Sequence, residues 1–480
     1  MPIPNNNPIG RGKGRRWEWA GASRLPWLSL PKRWPKNRIH TNQIKVCVPI
    51  TGFPVTGGMR AVLANIALVT KDSWQFEYLT QRIGPEPAEF MISRFGASFM
   101  SPWQFPFVWL YALAGFRKLL SLMRCGADYQ LILPQDGVFT AAFAGLAGKI
   151  MGVRVVCIDH GNLTLLKSQI YRAERIQALA AKSWPRRLLE RVLFVAYWPS
   201  LYMLAKIAAR TVDYYMVPGV EGDGVETICA QLGIDRNRLM RFASMIDVNE
   251  YPVLSAEERA ALRQHYALPS DALVIAIVCR LSPEKGIDIA LQSLERALAE
   301  LSPEARTQVR IVIAGTGPLA NHVRELISST GLSQCCVMWG EIAPAKVKSL
   351  LGISDIFLYT SIRGACLSMA VLEAMAAGCA VVASTQPLSN QSMLAEGRGI
   401  AVPPGDSEKT AQALLRLLKE PHLCQRMGAL ARAYVAVEHS PAMFSQALLR
   451  ACGSIAITEE ARSEVESDVH EKPYEMEHAQ

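Results

Sequence analysis

The sequence predicts an α/β protein built from two doubly wound domains with parallel sheets. Its 480 residues are enough for two domains with separate cores, at roughly 150 residues per domain. Short apolar runs alternate with helix-like segments along most of the chain. In the clearest unit, Asp355–Ser384, two apolar runs suited to strands buried on both faces flank a segment of strong helix formers.

The N-terminal half begins with the β-rich run Ile44–Ile50, which predicts the first strand. The pair Gly57-Gly58 follows and opens a helix-like segment. Glycines let backbone amides approach a ligand, and a helix N-terminus favours an anion. Gly57 and Gly58 are therefore predicted to bind substrate, with a plain tight turn as the alternative.

A buried strand is predicted at Arg154–Ile158, and it leads to His160. In an open parallel sheet, ligands bind outside the carboxyl ends of the strands. His160 is therefore a candidate ligand-binding residue, and a surface histidine in a turn is the alternative.

Two apolar stretches require a check for membrane spans. Phe95–Phe116 is uncharged, but prolines and polar residues interrupt it, so we predict a core helix that continues beyond it. Leu193–Ala205 is too short to span, and we expect Pro199 to break it. Because basic residues flank this second stretch, it could also lie in the plane of a membrane surface.

The C-terminal half contains the strongest chemical motif, R-L-S-P-E-K-G at Arg280–Gly286. It follows the unbroken apolar run Leu273–Cys279, which predicts a buried strand. Arg280 and Lys285 flank a turn that opens a helix, and two cations beside a helix N-terminus form a cradle for a diphosphate.

The next predicted strand, Val309–Ala314, leads into the turn Gly315-Thr316-Gly317-Pro318. This turn lacks the third glycine of a dinucleotide-binding fingerprint, which argues against an NAD-linked oxidoreductase. Farther on, a long helix is predicted at Ser407–Lys419 and another near Ala442–Ala451.

One charged side chain, Glu373, stands in the helix predicted at Met369–Ala377, and Gly378 follows as its C-terminal cap. A lone carboxylate at the ligand-binding edge of a sheet suits a vicinal diol such as that of a ribose. A solvated glutamate on a helix face is the alternative.

These motifs resemble the retaining glycosyltransferases of family 4, which have the GT-B architecture of two facing Rossmann-like domains. Leu372–Gly378 matches the L-E-A-M-A-x-G half of the family signature, and Arg280–Gly286 matches its diphosphate-binding segment. The order Asp159-His160-Gly161 is similar to the end of a cleft-facing strand in the family. The resemblance extends over residues 44–452.

The resemblance implies a metal-independent, retaining transfer of a sugar from a nucleotide-diphosphate sugar to a glycan or lipid-linked acceptor, in cell-surface polysaccharide synthesis. No cofactor and no metal site are expected. The catalytic residues that it implies are His160, Arg280 and Lys285. The substrate-binding residues that it implies are Gly57, Gly58, Gly315, Glu341, Ser368, Leu372 and Glu373.

Two departures from the family pattern affect the sugar-binding part of the site. The first glutamate of the family signature falls on Ala365, and Ser384–Asn390 replaces the usual Gly-Gly loop. They motivate an alternative function, a catalytically lapsed nucleotide-sugar-binding partner protein.

The domain boundaries follow from composition and from the resemblance. We predict a basic arm at 1–42, an N-terminal domain at 43–252 and a C-terminal domain at 253–437. A helix at 438–456 is expected to cross back to the N-terminal domain, and an acidic disordered tail follows at 457–480.

Charge and cysteine usage indicate the cellular setting. The net charge is +9, and the arm at 1–42 has nine Lys or Arg, one acidic residue and four tryptophans. Such an arm could contact an anionic membrane, could be a leader without function, and is least expected to bind nucleic acid. No apolar segment of a signal peptide follows the charges. Eleven scattered cysteines without C-x-x-C indicate reduced thiols in the cytoplasm, with peripheral binding to the inner face of the plasma membrane as an option.

Overall fold

The computed structural model of the protein describes residues 43–52, 62–63, 66–67, 69–70, 74–81, 91–96, 107–160, 163, 166, 184–218, 225–242, 244–363, 368–386 and 389–453, with side chains from 195 onwards in the segment 184–218. By compactness the chain divides into Met1–Arg38 and Ile39–Gln480, and all described residues belong to the second unit. The predicted arm at 1–42 and tail at 457–480 lie outside the described residues, as do Gly57, Gly58 and Ala365.

The first sheet has seven parallel strands in the order β3-β2-β1-β4-β5-β6-β7. Its strands are β1 Ile44–Ile50, β2 Trp74–Thr80, β3 Met91–Arg94, β4 Leu131–Ile132, β5 Arg154–Ile158, β6 Tyr214–Pro218 and β7 Leu239–Phe242. The helices described with it are α1 Phe107–Arg124, α2 Phe139–Met151, α3 Trp184–Thr211 and α4 Val225–Leu232.

The second sheet has six parallel strands in the order β10-β9-β8-β11-β12-β13. Its strands are β8 Leu273–Val278, β9 Val309–Ala314, β10 Cys336–Gly340, β11 Ile356–Tyr359, β12 Ala380–Ser384 and β13 Gly399–Val402. The helices are α5 Ala256–His265, α6 Ile287–Ala299, α7 Pro303–Thr307, α8 Ala320–Ser329, α9 Pro344–Ile353, α10 Met369–Ala376, α11 Ser389–Met393, α12 Ser407–Lys419, α13 Pro421–Glu438 and α14 Pro441–Cys452.

The strand order in both sheets confirms the predicted fold class of two doubly wound parallel-sheet domains. In each sheet the order reverses beside the first strand, between β1 and β4 and between β8 and β11. Such a reversal leaves a crevice at the carboxyl ends of the strands, where ligands bind in open α/β sheets.

Burial on both faces explains why the strands are continuous apolar runs. Along β8, Ile275 and Ile277 lie in one hydrophobic core, and Val274 and Ala276 lie in the core on the opposite face. Successive side chains of a strand point to opposite faces. A strand covered by helices on both sides therefore has no position that favours a polar residue.

The helix α14 packs against strands of the N-terminal sheet, although it follows the helices of the C-terminal domain. Phe444 of α14 meets Phe242 of β7 edge to face, with ring centroids 5.7 Å apart. Arg154 of β5 donates a hydrogen bond of 2.8 Å to the carbonyl of Cys452 at the end of α14. The chain thus returns to its N-terminal sheet after completing the second one.

The expected break at Pro199 is wrong, because α3 continues through that residue from Trp184 to Thr211. Proline removes one backbone hydrogen bond from a helix. The buried side chains of Tyr197 and Leu201 anchor α3 in the N-terminal core on either side of the proline, and this packing preserves the helix.

The uncharged run before Arg117 lies in the core helix α1, as predicted, from Phe107 onwards. Among the helices that the structure describes, none is both long and apolar enough to span a membrane.

Candidate functional site

Loops from the carboxyl ends of five neighbouring strands of the second sheet are joined by hydrogen bonds. The loop after β8 bonds to the loop after β9 through Leu281 N and Thr316 O, 2.9 Å apart. It bonds to the loop after β11 through Ser361 Oγ, which donates to Glu284 O at 2.9 Å. Ser384 at the end of β12 donates to Ser361 O at 2.5 Å. These contacts form one continuous edge at the reversal of strand order.

Gly315 supplies the closest approach within this edge. Its φ is 139°, and a Cβ atom there would lie 1.8 Å from the carbonyl oxygen of Cys279. Its amide donates to Gly340 O at 2.7 Å, which joins the ends of β9 and β10. The position therefore requires glycine for backbone packing, and that packing brings the loops after β8 and β9 together.

The diphosphate motif forms a short turn at Pro283–Lys285, and α6 begins immediately after it. Gly286, with φ 62°, connects the two, and a Cβ there would lie 2.3 Å from Thr360 O. Thr360 Oγ1 in turn donates to Gly286 O at 2.8 Å. The N-terminus of α6 is therefore held against the end of β11.

The two predicted cations both lie at this turn. Arg280, whose side chain is 69% exposed, pairs with Glu284 at 2.6 Å. The ammonium of Lys285 lies 5.6 Å from the ring centroid of Tyr359 at the end of β11. Together with the positive end of the α6 dipole, these side chains produce a concentration of positive charge that an anion would complement.

Glu284 balances part of that charge and orients Arg280. Its carboxylate also accepts a hydrogen bond of 2.6 Å from Ser282 Oγ. Burial opposes ionisation of Glu284, but the hydrogen bonds from Ser282 and Arg280 outweigh it and hold its pKa below the ordinary value. Arg280 thus already has an anionic partner, which a bound phosphate would have to share or replace.

Glu373 lies in the middle of α10 and is partly buried rather than solvated. Burial raises its pKa to about 7, while a hydrogen bond from Tyr251 and the charge of Lys348 oppose that rise. Its partial burial and the hydrogen bond from Tyr251 favour a ligand-binding carboxylate over a solvated helix glutamate. Tyr251 is 6% exposed and comes from the segment that links the two domains.

The other predicted residues of this edge differ in which of their groups could contact a ligand. Ser368 stands at the N-terminal cap of α10 without making a side-chain capping bond, and Glu341 is exposed directly after β10. The side chain of Leu372 is fully buried in the core. Its side chain therefore serves packing, and only its backbone could reach a ligand.

His160 follows β5 at the carboxyl edge of the first sheet. Its Nε2 atom lies 3.0 Å from Oε1 of Gln135, which follows the neighbouring strand β4. Burial lowers the pKa of His160 to about 4, so the imidazole is neutral at physiological pH. Its partial burial and its contact with Gln135 favour a ligand-binding residue over a plain surface histidine in a turn.

Three contributors were missed by the sequence reasoning: Gln135, Tyr251 and Arg432. Arg432 of α13 donates to the carbonyls of Tyr251, at 2.6 Å, and of Val248, at 3.0 Å, and also to that of Ala376 at the end of α10. It thereby joins the interdomain segment to the helix that carries Glu373. Of the three, only Gln135 could have been found from the sequence. It follows the strand β4, and His160 follows the neighbouring strand β5, so both lie at the same edge of the sheet.

The described residues include no group of three or more His, Cys, Asp or Glu side chains that could hold a metal ion. The predicted residues fall on two sheets. His160 lies at the edge of the first sheet, and Arg280, Lys285, Gly315, Glu341, Ser368 and Glu373 lie around that of the second.

Comparison with known proteins gives the relationships of the chain. Residues 258–434 match the family model of glycosyl transferases group 1. The chain is 28% identical over 309 residues to alpha-D-kanosaminyltransferase of Streptomyces kanamyceticus, covering 64% of this chain and 72% of that protein. It is 29% identical over 203 residues to the GDP-mannose-dependent monoacylated alpha-(1-6)-phosphatidylinositol monomannoside mannosyltransferase of Corynebacterium glutamicum, covering 41% of this chain and about half, 51%, of that protein.

Solved structures share the fold over most of the chain. Anabaena Alr3699/HepE, solved in complex with UDP and glucose, superposes with a TM-score of 0.62 at 17% identity, over 85% of this chain and 99% of that one. WaaG, a glycosyltransferase involved in lipopolysaccharide biosynthesis, superposes with a TM-score of 0.60 at 15% identity, over 85% and 100% of the two chains. The two sheets therefore have the GT-B arrangement expected from the sequence.

Proposed function

Because residues 258–434 match the family model of glycosyl transferases group 1, we propose that this chain is a glycosyltransferase of that group and moves a sugar from a nucleotide-diphosphate sugar to a glycan or lipid-linked acceptor. We further propose that the transfer retains the anomeric configuration and needs no metal ion. The observation that carries the proposal is the edge of joined loops around the start of α6, where Arg280 and Lys285 stand beside a helix N-terminus.

The chemistry requires stabilisation of the departing nucleoside diphosphate. As the bond to the anomeric carbon breaks, negative charge grows on the diphosphate, and fixed positive groups aimed at it lower the barrier. A charge-assisted hydrogen bond contributes about 1.5–3 kcal/mol. If formed only in the transition state, that corresponds to roughly one to two powers of ten in rate. Arg280 and Lys285 are the groups proposed for this role.

Glu373 is proposed to bind the ribose. A carboxylate accepts the hydrogen bonds of two vicinal hydroxyls, and the partial burial of Glu373 strengthens such bonds because water competes less. The hydroxyl of Tyr251 also bonds this carboxylate and would orient it toward the ligand. Burial keeps the carboxyl partly protonated near pH 7, so nucleotide binding should favour higher pH.

His160 is proposed to contact a hydroxyl of the donor sugar near the reacting carbon, with the acceptor bound on the side of the N-terminal sheet. Support for a lipid-linked or glycan acceptor comes from the relatives, one of which is named for transfer to a phosphatidylinositol monomannoside. Another is named for colanic acid biosynthesis, the putative glycosyltransferase WcaL of Escherichia coli, 30% identical over 151 residues. A role in cell-surface polysaccharide synthesis is accordingly part of the proposal.

Peripheral binding to an anionic membrane is proposed for the same protein. The helices α1 and α3 are joined by a hydrogen bond of 2.8 Å from Trp109 to Ser200. Their outward sides carry exposed apolar side chains, namely Leu110, Leu113, Val195, Tyr202 and Met203. Farther along the same helices stand the exposed or half-exposed basic residues Arg117, Arg124, Lys206 and Arg210. Apolar residues next to basic ones suit the boundary between acyl chains and anionic headgroups.

The test combines binding with product analysis. Calorimetry against ADP, GDP, UDP and dTDP would identify the base, and a panel of the corresponding nucleotide sugars would identify the donor. Nuclear magnetic resonance of the product would then give the anomeric configuration, with and without a metal chelator. An inverted product, or transfer that stops on chelation, would contradict the respective part of the proposal.

A second candidate function, a nucleotide-sugar-binding partner protein without catalysis, is motivated by Ala365 at the place of a family glutamate. The two functions differ in turnover. A transferase slowly hydrolyses its donor without acceptor, whereas a pure binding protein has affinity for the donor and releases it unchanged.

A further inference from the structure

Gln135 is a fully buried amide side chain that makes two directed hydrogen bonds. It has no exposed surface and follows β4 at the carboxyl edge of the first sheet. Its Nε2 donates to the carbonyl of Leu133 at 3.0 Å, and its Oε1 lies 3.0 Å from Nε2 of His160. Burying an amide is costly unless both of its ends are bonded, and here both ends are.

The direction of these bonds follows from the backbone carbonyl. The oxygen of Leu133 can only accept, so the NH₂ group of Gln135 must face it, and the amide oxygen must face His160. That oxygen can also only accept. The nitrogen of His160 that faces it, Nε2, must therefore carry a proton.

Burial keeps the ring neutral, because it lowers the pKa of His160 to about 4. A neutral imidazole has one protonated nitrogen, which donates, and one bare nitrogen, which accepts. With the proton on Nε2, Nδ1 is the acceptor of the ring.

We propose that Gln135 is a positioning residue that holds His160 in the tautomer protonated at Nε2, so that Nδ1 accepts a hydrogen bond from the ligand. The identity of that ligand, a hydroxyl of the donor sugar, rests on the proposed function. An imidazole that accepts from the hydroxyl increases the electron density of the sugar. This stabilises the positive charge that develops at the anomeric carbon, whereas an imidazole that donates would withdraw electron density.

The surroundings keep the pair in place. Ile158 N donates to Pro134 O at 2.9 Å, and Gly137 N donates to the carboxylate of the buried Asp159 at 2.9 Å. The two segments that carry Gln135 and His160 are thus bonded to each other on both sides of Gln135 and directly before His160. A small misplacement of a reacting group is costly in rate, so this rigidity serves the positioning role.

The tautomer can be read directly in the free protein. The full chain, labelled with ¹⁵N in its 8 histidines, is recorded in long-range ¹H–¹⁵N spectra, and His160→Asn identifies the signals of His160. We expect a protonated Nε2 and a bare Nδ1 from pH 5 to pH 8. Gln135→Met, which keeps the length but removes both hydrogen bonds, should shift these signals toward an average of the two tautomers.

The kinetic consequence should appear in turnover rather than in donor binding. With the nucleotide sugar that the binding panel selects, Gln135→Met should lower kcat by about tenfold and leave the donor KM within about twofold. The matched control is Gln130→Met just before the start of β4, where the amide accepts from Lys45 N at 2.6 Å and does not contact His160. The control should leave the His160 spectrum and kcat unchanged.

Two outcomes would overturn the inference: a proton on Nδ1 in the parent protein, or a His160 spectrum that Gln135→Met leaves unchanged. The parent spectrum decides the first even if the variant does not fold. Because the spectrum needs no donor, a protein with the expected tautomer but no transfer would refute the proposed function and leave the tautomer assignment intact.

Discussion

The most informative perturbation is Glu373→Gln, which removes a partly buried charge and keeps the shape of the side chain. Burial raises the pKa of Glu373 from the ordinary 4.5 to about 7. Below pH 4.5 the carboxyl is protonated in both the folded and the unfolded chain, so its burial does not lower the free energy of unfolding. Above pH 7 the folded protein holds a carboxylate that the unfolded chain would hydrate. The contribution of this group to stability therefore falls as pH rises from 4.5 to 7.

The size of the change in stability follows from the ordinary and the raised pKa of Glu373. A tenfold change in proton affinity corresponds to about 1.4 kcal/mol, so the interval from 4.5 to about 7 gives about 3 kcal/mol as an upper value. Because Glu373 retains some exposure, we expect Glu373→Gln to stabilise the unliganded protein by about 2–3 kcal/mol at pH 8 and by less than about 1 kcal/mol at pH 5.

The assay is urea unfolding followed by circular dichroism at both pH values, on the parent and the variant. The control is Glu341→Gln, which removes an exposed carboxylate from the loop after β10 and should change stability little at either pH. Glu373→Gln should also bind nucleoside diphosphate more weakly than the parent at pH 8, because an amide accepts fewer hydrogen bonds from a diol than a carboxylate does. Equal stabilisation at pH 5 and pH 8 would show that Glu373 is not buried as a charge, and the reasoning would fail.

Three further predictions concern the phosphates, the membrane and the sugar. Arg280→Ala and Lys285→Ala should each weaken nucleoside diphosphate binding by about tenfold or more while hardly changing nucleoside binding. The control Arg296→Ala, at the other end of α6 in an exposed ion pair with Glu408, should change neither affinity. Equal losses for both ligands in calorimetry would contradict the diphosphate cradle. Removing residues 1–42 should weaken sedimentation of the protein with vesicles that contain phosphatidylglycerol without changing its circular dichroism, because only the α1 and α3 surface would remain to bind them. Unchanged binding would refute the arm as an anchor. Ala365→Glu should leave nucleoside diphosphate affinity unchanged and alter the ranking among nucleotide sugars, and loss of diphosphate binding would show that this residue does not lie beside the sugar.

Much of the fold could be predicted because buried parallel strands and helix formers are local signals. The run Leu273–Cys279 contains β8, which ends at Val278, and the helix predicted at Ser407–Lys419 has those bounds in the structure. The exception, Pro199, shows the limit of local reasoning. The intrinsic preference against proline in a helix was outweighed by the burial of its neighbours in α3, which no short window of sequence contains.

The amino-acid sequence by itself determined the resemblance to the family 4 glycosyltransferases and the charged groups of the site. Arg280 and Lys285 are five residues apart in one contiguous motif, and Glu373 lies within another, so residue type and spacing were enough to identify them. Only the tertiary structure decided the state of these groups. The hydrogen bond between Tyr251 and Glu373 and the one between Gln135 and His160 join residues that are distant in the chain. The pKa values of Glu373 and His160 depend on how much water the packed domains exclude, because desolvation penalises whichever form of a group is charged.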